Sequence, residues 1–114
     1  MDDEELIFLI RNSKNAIKFN ILYSGYWSSL YKSQSEADLA LCCILAFWTC
    51  RNATQIDSIF RSSGLYREKW DEKRGVFTYG IITIKKAIEY CSSEYEPKLS
   101  GGNGKWHPLY PTNK

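Results

Sequence analysis

Residues 33–50 read SQSEADLALCCILAFWTC, and from Ala37 to Cys50 only Asp38 and Thr49 are not apolar. A helix that is apolar on nearly every side leaves no face for water and has to be buried. The fourteen residues from Ala37 to Cys50 make about 21 Å of helix, far too short to cross a bilayer. Its start is marked: Ser33 with Glu36, or Ser35 with Asp38, can cap the first turn through side-chain bonds to free backbone N–H groups. The stretch from Ser33 to Trp48, continuing to Cys50, is therefore read as the central helix of an all-α domain. A compact bundle of about five helices is expected, with the others packed round this one.

On the N-terminal side, residues 4–12 (EELIFLIRN) carry Leu6, Ile7 and Ile10 at helical spacing behind acids that suit the helix dipole. A second helix is expected from Lys14 to Tyr23, with Ala16, Phe19 and Leu22 on one side and Gly25 ending it. The following YSGYWSSLYKSQ is an aromatic loop whose rings, Trp27 among them, either plug into the core or offer a partly exposed stacking surface. On the C-terminal side, Asn52 and Gln55 form another capping pair. Ile56, Ile59 and Phe60 then give the apolar stripe of a short helix ending at Ser63-Gly64, with Asp57 and Arg61 spaced for a weak ion pair. Residues 76–84 (VFTYGIITI) have strand composition and permit a small hairpin. Ile81, Ile84, Ile88, Cys91 and Tyr95 nevertheless keep helical spacing, and a helix is expected from about Thr78 to Glu94, stopped by Pro97. The bundle then occupies residues 1–96, and residues 97–114, rich in Gly, Pro and Asn, read as a flexible tail or linker.

The 114 residues suffice for one domain with a real core, and the net charge of +2 excludes a bulk polycation. The charge is segregated all the same. Residues 2–5 are all acidic, whereas Arg51 to Lys86 holds eight basic residues against four acidic ones. The four cysteines, Cys42, Cys43, Cys50 and Cys91, form no CxxC pair, and the only histidine is His107, so no metal site is expected. Buried reduced thiols, with neither a signal peptide nor a membrane segment, point to a cytoplasmic protein. No nucleophile–base pair is visible. GGNGK at 101–105 is a poor phosphate loop, because Lys105 is followed by Trp and no strand precedes it. Catalysis by this domain alone is not expected.

Four motifs stand in order over residues 33–84: SQSEADLALC, LAFW, QID-x-IFR-x-SGLYREKWDE and TYG-x-x-TI. Together they closely resemble the helix-bundle domain of primase–polymerase replication proteins from phages and plasmids, including archaeal plasmids. The family usually has a glycine where Cys50 stands and an acidic residue near Tyr26. The resemblance implies an all-helical accessory domain that helps primer initiation by engaging single-stranded DNA template and nucleoside triphosphates. ATP or another triphosphate would be the ligand, with Mg²⁺ carried by the nucleotide. The polymerisation carboxylates would lie in a neighbouring catalytic domain of the same chain, and the isolated domain would be a monomer.

Such binding needs cations for phosphates and flat rings for bases. Arg61, Arg67, Lys69 and Arg74 interleave with Tyr66, Trp70 and Tyr79, and Lys85 follows. Arg67 and Lys69 are the first choice for phosphate contact, against ion pairing with Glu68, Asp71 or Glu72; Arg67→Ala is expected to weaken binding without unfolding the domain. Trp70 is either a core anchor or a base platform. Tyr79-Gly80 at a helix start can turn backbone N–H groups towards a phosphate, or Gly80 merely permits close packing. Ser33 and Gln34, with Ser35, either meet an anion or cap their helix, and Trp27 is a further possible contact. The rival function is a structural bundle that spaces the polymerase from a helicase domain.

Overall fold

The computed structural model describes residues 1–14 and 16–91. Five helices account for most of these residues: α1 (Asp3–Arg11), α2 (Ala16–Ser24), α3 (Gln34–Trp48), α4 (Ala53–Arg61) and α5 (Tyr79–Tyr90). One-turn 3₁₀ segments at Trp27–Ser29 and Glu68–Asp71 and a two-stranded hairpin, β1 (Lys73–Arg74) with β2 (Phe77–Thr78), complete the fold. The expected tail at 97–114, the stop at Pro97 and the GGNGK run lie outside the described residues.

Helix α3 is the axis, as its composition demands. Every residue from Ala37 to Trp48 except Leu39 is buried, Asp38 included. It packs chiefly on α5 and also against α2 and α4, while α1 closes on α2 and α4. The helix starts on the first of the two expected caps: the Ser33 hydroxyl accepts from the Glu36 N–H at 3.2 Å. Asp38 takes no part in capping. Helix α1 begins with a reciprocal box, Glu5 N–H to Asp2 at 2.8 Å and Asp2 N–H to Glu5 at 3.2 Å, and Asn52 caps α4 through the Gln55 N–H at 3.1 Å. Each of these satisfies N–H groups that a helix leaves without partners.

The two glycines expected to end helices do so by meeting each other. Gly64 donates its N–H to the Tyr23 carbonyl at 2.7 Å, and a Cβ on Gly64 would sit 2.5 Å from the Ser24 carbonyl oxygen. Gly25 lies opposite with φ +94°, so α2 and α4 end at a backbone crossing that no side chain fits.

The structure corrects the expected end of the last helix and the burial of one thiol. Helix α5 stops at Tyr90 rather than Glu94. Cys91 turns extended there, with φ −81° and ψ 110°, and its carbonyl accepts from the Arg51 guanidinium at 3.0 Å. Both the hairpin and the helix that residues 76–84 allowed are present, the hairpin ending where α5 begins. Cys42, Cys43 and Cys91 are buried, whereas Cys50 is exposed. Burial pushes the Cys43 thiol up to about 12, nearby Cys91 adding to the effect, and keeps the Cys42 thiol well above its usual range as well.

Cys50 has left the helix for a reason its backbone displays. The Arg51 N–H bonds the Ala46 carbonyl at 2.8 Å and the Cys50 N–H bonds the Phe47 carbonyl at 3.3 Å, the paired bonds of a Schellman ending. Cys50 and Arg51 carry φ of +57° and +63°, a region in which a Cβ crowds the following carbonyl. A glycine at 50, the usual residue in the family resembled, relieves that crowding. Cys50→Gly is expected to raise the unfolding free energy by about 1 kcal/mol in urea denaturation. A destabilised Cys50→Gly variant would show that the cysteine's own contacts outweigh the strain.

Candidate nucleic-acid interface

Within the segment from Arg67 to Tyr79, Trp70 is the most deeply buried side chain. Trp70 is 1% exposed, its ring stacked on Phe60 with centroids 3.6 Å apart and planes within 8°. Its N–H donates to Asp57 at 2.8 Å. Gly80 presses on the indole so closely that a Cβ there would lie 2.5 Å from the ring. Trp70 is thus an anchor and offers no face to a base, and Gly80 is buried as the clearance for it. Both move from the expected interface to the core, because an indole between Phe60 and Gly80 has no solvent side.

Arg67 leads into this turn and points inward. Its guanidinium forks onto Asp38 of α3 at 3.1 and 3.0 Å and also donates to the Leu65 carbonyl at 3.1 Å. The Tyr79 hydroxyl at the start of α5 donates to the same carboxylate at 2.6 Å. The expected partners, Glu68, Asp71 and Glu72, are not used by Arg67. Asp38 is fully buried, whereas the Arg67 side chain is 27% exposed. Burial works against the Arg67 charge, but the bonds and charge of Asp38 outweigh it and raise its pKa. Burial first, then the bond to Asp38, likewise raises the Tyr79 phenol, which stays a donor. The arrangement joins α3, the 3₁₀ turn and α5 through one charge.

The remaining cations sort by what they touch. Arg61 is committed: it bonds Asp57 at 2.8 Å and grips Asp71 at 2.6 and 3.1 Å, with the Tyr66 hydroxyl on the same Asp71 at 2.7 Å. Hydrogen bonds from Arg61 and then Tyr66 hold the Asp71 carboxyl below its usual range. Lys69, by contrast, leans 4.5 Å from the centroid of the Tyr79 ring and donates to the Ser35 hydroxyl at 3.2 Å. Arg74 lies 5.8 Å from the same ring and pairs with Glu72 at 3.1 Å on the surface. Lys85 reaches over Phe77 at 4.9 Å. Lys69, Lys73 and Lys85 have no carboxylate partner among the described residues.

The surface so formed carries Ser35 at the start of α3, Lys69, Lys73 and Arg74 along the turn and hairpin, and Tyr79 at the start of α5. Lys69 and Arg74 rest on the Tyr79 ring, and both helices present their positive dipole ends there. Such a surface can receive phosphate oxygens. Among the described residues no three His, Cys, Asp or Glu side chains converge as a metal cage. Ser33 spends its hydroxyl on the cap, and the Gln34 amide donates to the Leu65 carbonyl at 3.4 Å. Trp27 is half-buried against the core and makes no ring contact with the Lys69–Tyr79 group. Two residues matter that the candidate set lacked. Asp38 was signalled as the lone acid in an apolar run, while Lys73 differs from its neighbours only in having no partner.

A sequence model of the NrS-1 polymerase HBD domain matches residues 34–97. A DNA primase-polymerase of Nitratiruptor phage NrS-1 is 35% identical over 102 residues. That alignment covers 87% of this chain and 13% of the phage protein, so the chain spans a small part of its relative's length. The matched segment includes α3 to α5 and all of the surface just described.

The pairing revises the expected behaviour of Arg67→Ala. Removing the guanidinium strands a buried carboxylate, so this variant is expected to lose about 3 kcal/mol of stability, and not merely affinity. Replacing both partners, Arg67→Met with Asp38→Leu, should recover most of the loss in urea denaturation. An Arg67→Ala domain as stable as the parent would show that Tyr79 alone satisfies Asp38.

Proposed function

The chain belongs to the NrS-1 polymerase HBD domain family, the helix-bundle domain of primase-polymerases, and on that premise we propose that it binds single-stranded DNA template and nucleoside triphosphates to promote primer initiation. The observation that carries this reading is the row of cations left without counter-acids, Lys69 and Lys73, beside Arg74 and the two helix starts. Phosphate is the ligand such a row suits: each contact releases counterions, and the approach is sequence-independent. Thr78 and Ser33 each cap one N–H of their helix, at 3.1 and 3.2 Å, which fixes the helix starts that face the anion.

In this reading the domain contributes position and not chemistry. Holding a triphosphate and a template strand on one rigid face raises their effective concentration for the catalytic domain before the first phosphodiester bond exists. Mg²⁺ would travel with the triphosphate, as it commonly does, and not in a cage of protein ligands. A second reading, a bundle that docks a neighbouring domain, draws on Phe8 and Ile17, 65% and 75% exposed on the α1–α2 side. That side is formed by elements other than the cation row, so the two roles do not compete for residues.

An NMR titration with single-stranded DNA, with and without ATP and Mg²⁺, is expected to move signals of residues 33–36 and 69–80. Lys69→Gln and Lys73→Gln should each weaken template binding and lower the slope of log affinity against log salt by about 0.7. Silence of a folded sample towards both ligands would leave only the docking reading.

A further inference from the structure

The hairpin presents an aromatic ring that no packing role explains. Phe77 is 42% exposed, next to Val76 at 82%. The other rings of this face are engaged: Trp70 is buried, Tyr66 lies under Arg61 with its hydroxyl on Asp71, and Tyr79 lies under Lys69 and Arg74 with its hydroxyl on Asp38. Phe77 carries only the Lys85 ammonium, 4.9 Å from its centroid. A phenyl ring has no polar handle, so its exposure gains no hydrogen bond.

The ribbon sets what stands beside it. Arg74 and Phe77 are direct cross-strand partners, and side chains so paired project from the same face of a ribbon. The turn between them is two residues long, with Gly75 at φ +81° in its first position, the φ pattern of a tight type II′ connection that holds the strands in register. A cation and an exposed ring are therefore fixed side by side, with Lys85 over the ring.

We propose that Phe77 is a stacking platform for one unpaired base of the single strand, with Arg74 and Lys85 placed for its flanking phosphates. This rests on the template-binding reading above and assigns the base contact within it. The rim decides the class of partner. Two cations flank the ring, Arg74 as its cross-strand partner and Lys85 at 4.9 Å from its centroid, which suits a polyanion bearing flat bases. Stacking reads no base edges, so the platform accepts all four bases and favours the larger purines.

The test compares two labelled strands of about ten nucleotides by fluorescence anisotropy on the whole chain with ATP and Mg²⁺, one of deoxyadenosine and one of abasic sugar-phosphate. The parent is expected to prefer the base-bearing strand by about tenfold. Phe77→Leu, which keeps apolar bulk in the strand, should abolish that preference and leave abasic binding unchanged. Phe77→Trp should retain it. A Phe77→Leu variant that keeps the preference, or that weakens both strands equally, overturns the assignment and gives the hairpin patch to a protein neighbour. A parent that binds both strands equally overturns Phe77 alone and leaves template binding standing. A parent that binds neither removes both readings.

Discussion

Asp38 is the constraint on which the rest depends. A carboxylate placed inside an apolar helix must find a cation and hydrogen-bond donors, because a buried unpaired charge is among the most destabilising features a fold can contain. Here the donors come from two distant points of the chain: the Arg67 fork at 3.0 and 3.1 Å and the Tyr79 hydroxyl at 2.6 Å. Since α3 cannot turn Asp38 outward without exposing its own apolar surface, the carboxylate dictates where the other two must lie. Desolvation offsets much of the attraction, so the pair adds little net stability over an apolar substitute of equal volume. What it supplies is position. The turn and the start of α5 are tied to the central helix through this carboxylate.

That point also explains why some cations face outward. Arg67 is used up inside and Arg61 is used up along the side, so Lys69 and Lys85 remain with aromatic or hydroxyl contacts in place of carboxylates. A cation held over a ring at an exposed site is bound by about 0.5–1 kcal/mol, comparable to a surface ion pair, but it leaves the ammonium open on its far side. A phosphate can join such a pair without first displacing an acid. The sorting by partner, more than the count of basic residues, is what supports the proposed interface over an ordinary solvated face.

The sequence made the scaffold legible and the site only in part, for a physical reason. The apolar run, the caps at Ser33 and Asn52 and the glycines at 25 and 64 act over a few residues, where periodicity and capping chemistry speak directly. The Asp38–Arg67 pair joins residues 29 apart and the Asp38–Tyr79 bond residues 41 apart, so no local spacing announces either. The same holds for the aromatic rings. Trp70 and Phe77 sit in similar basic surroundings in the sequence, and what separates them is tertiary: Phe60 and Gly80 sandwich one, whereas a hairpin of two-residue strands holds the other in solvent. The early end of α5 coincides with Arg51 meeting the Cys91 carbonyl, again a long-range contact.

The segment from Arg67 to Tyr79 consequently has an inner and an outer set of side chains. Arg67, Trp70 and Tyr79 reach inward to Asp38, Asp57 and Phe60, and Lys69, Arg74 and Phe77 stand outside them. Because the inner layer is fixed by a charge pair and a ring stack, the backbone that carries the outer groups is held in place before the proposed ligand arrives. Immobilising long side chains otherwise takes about 0.5–1.5 kcal/mol each from binding. In the proposed template-binding role this preorganisation separates the two effects of substitution: an outer change is expected to alter affinity with the fold intact, whereas an inner one disturbs the fold and affinity together. Arg67 is the residue where the layers meet. Its fork belongs to the core and its exposed quarter lies beside Lys69, so a loss of binding at Arg67 is never by itself evidence of contact with the ligand.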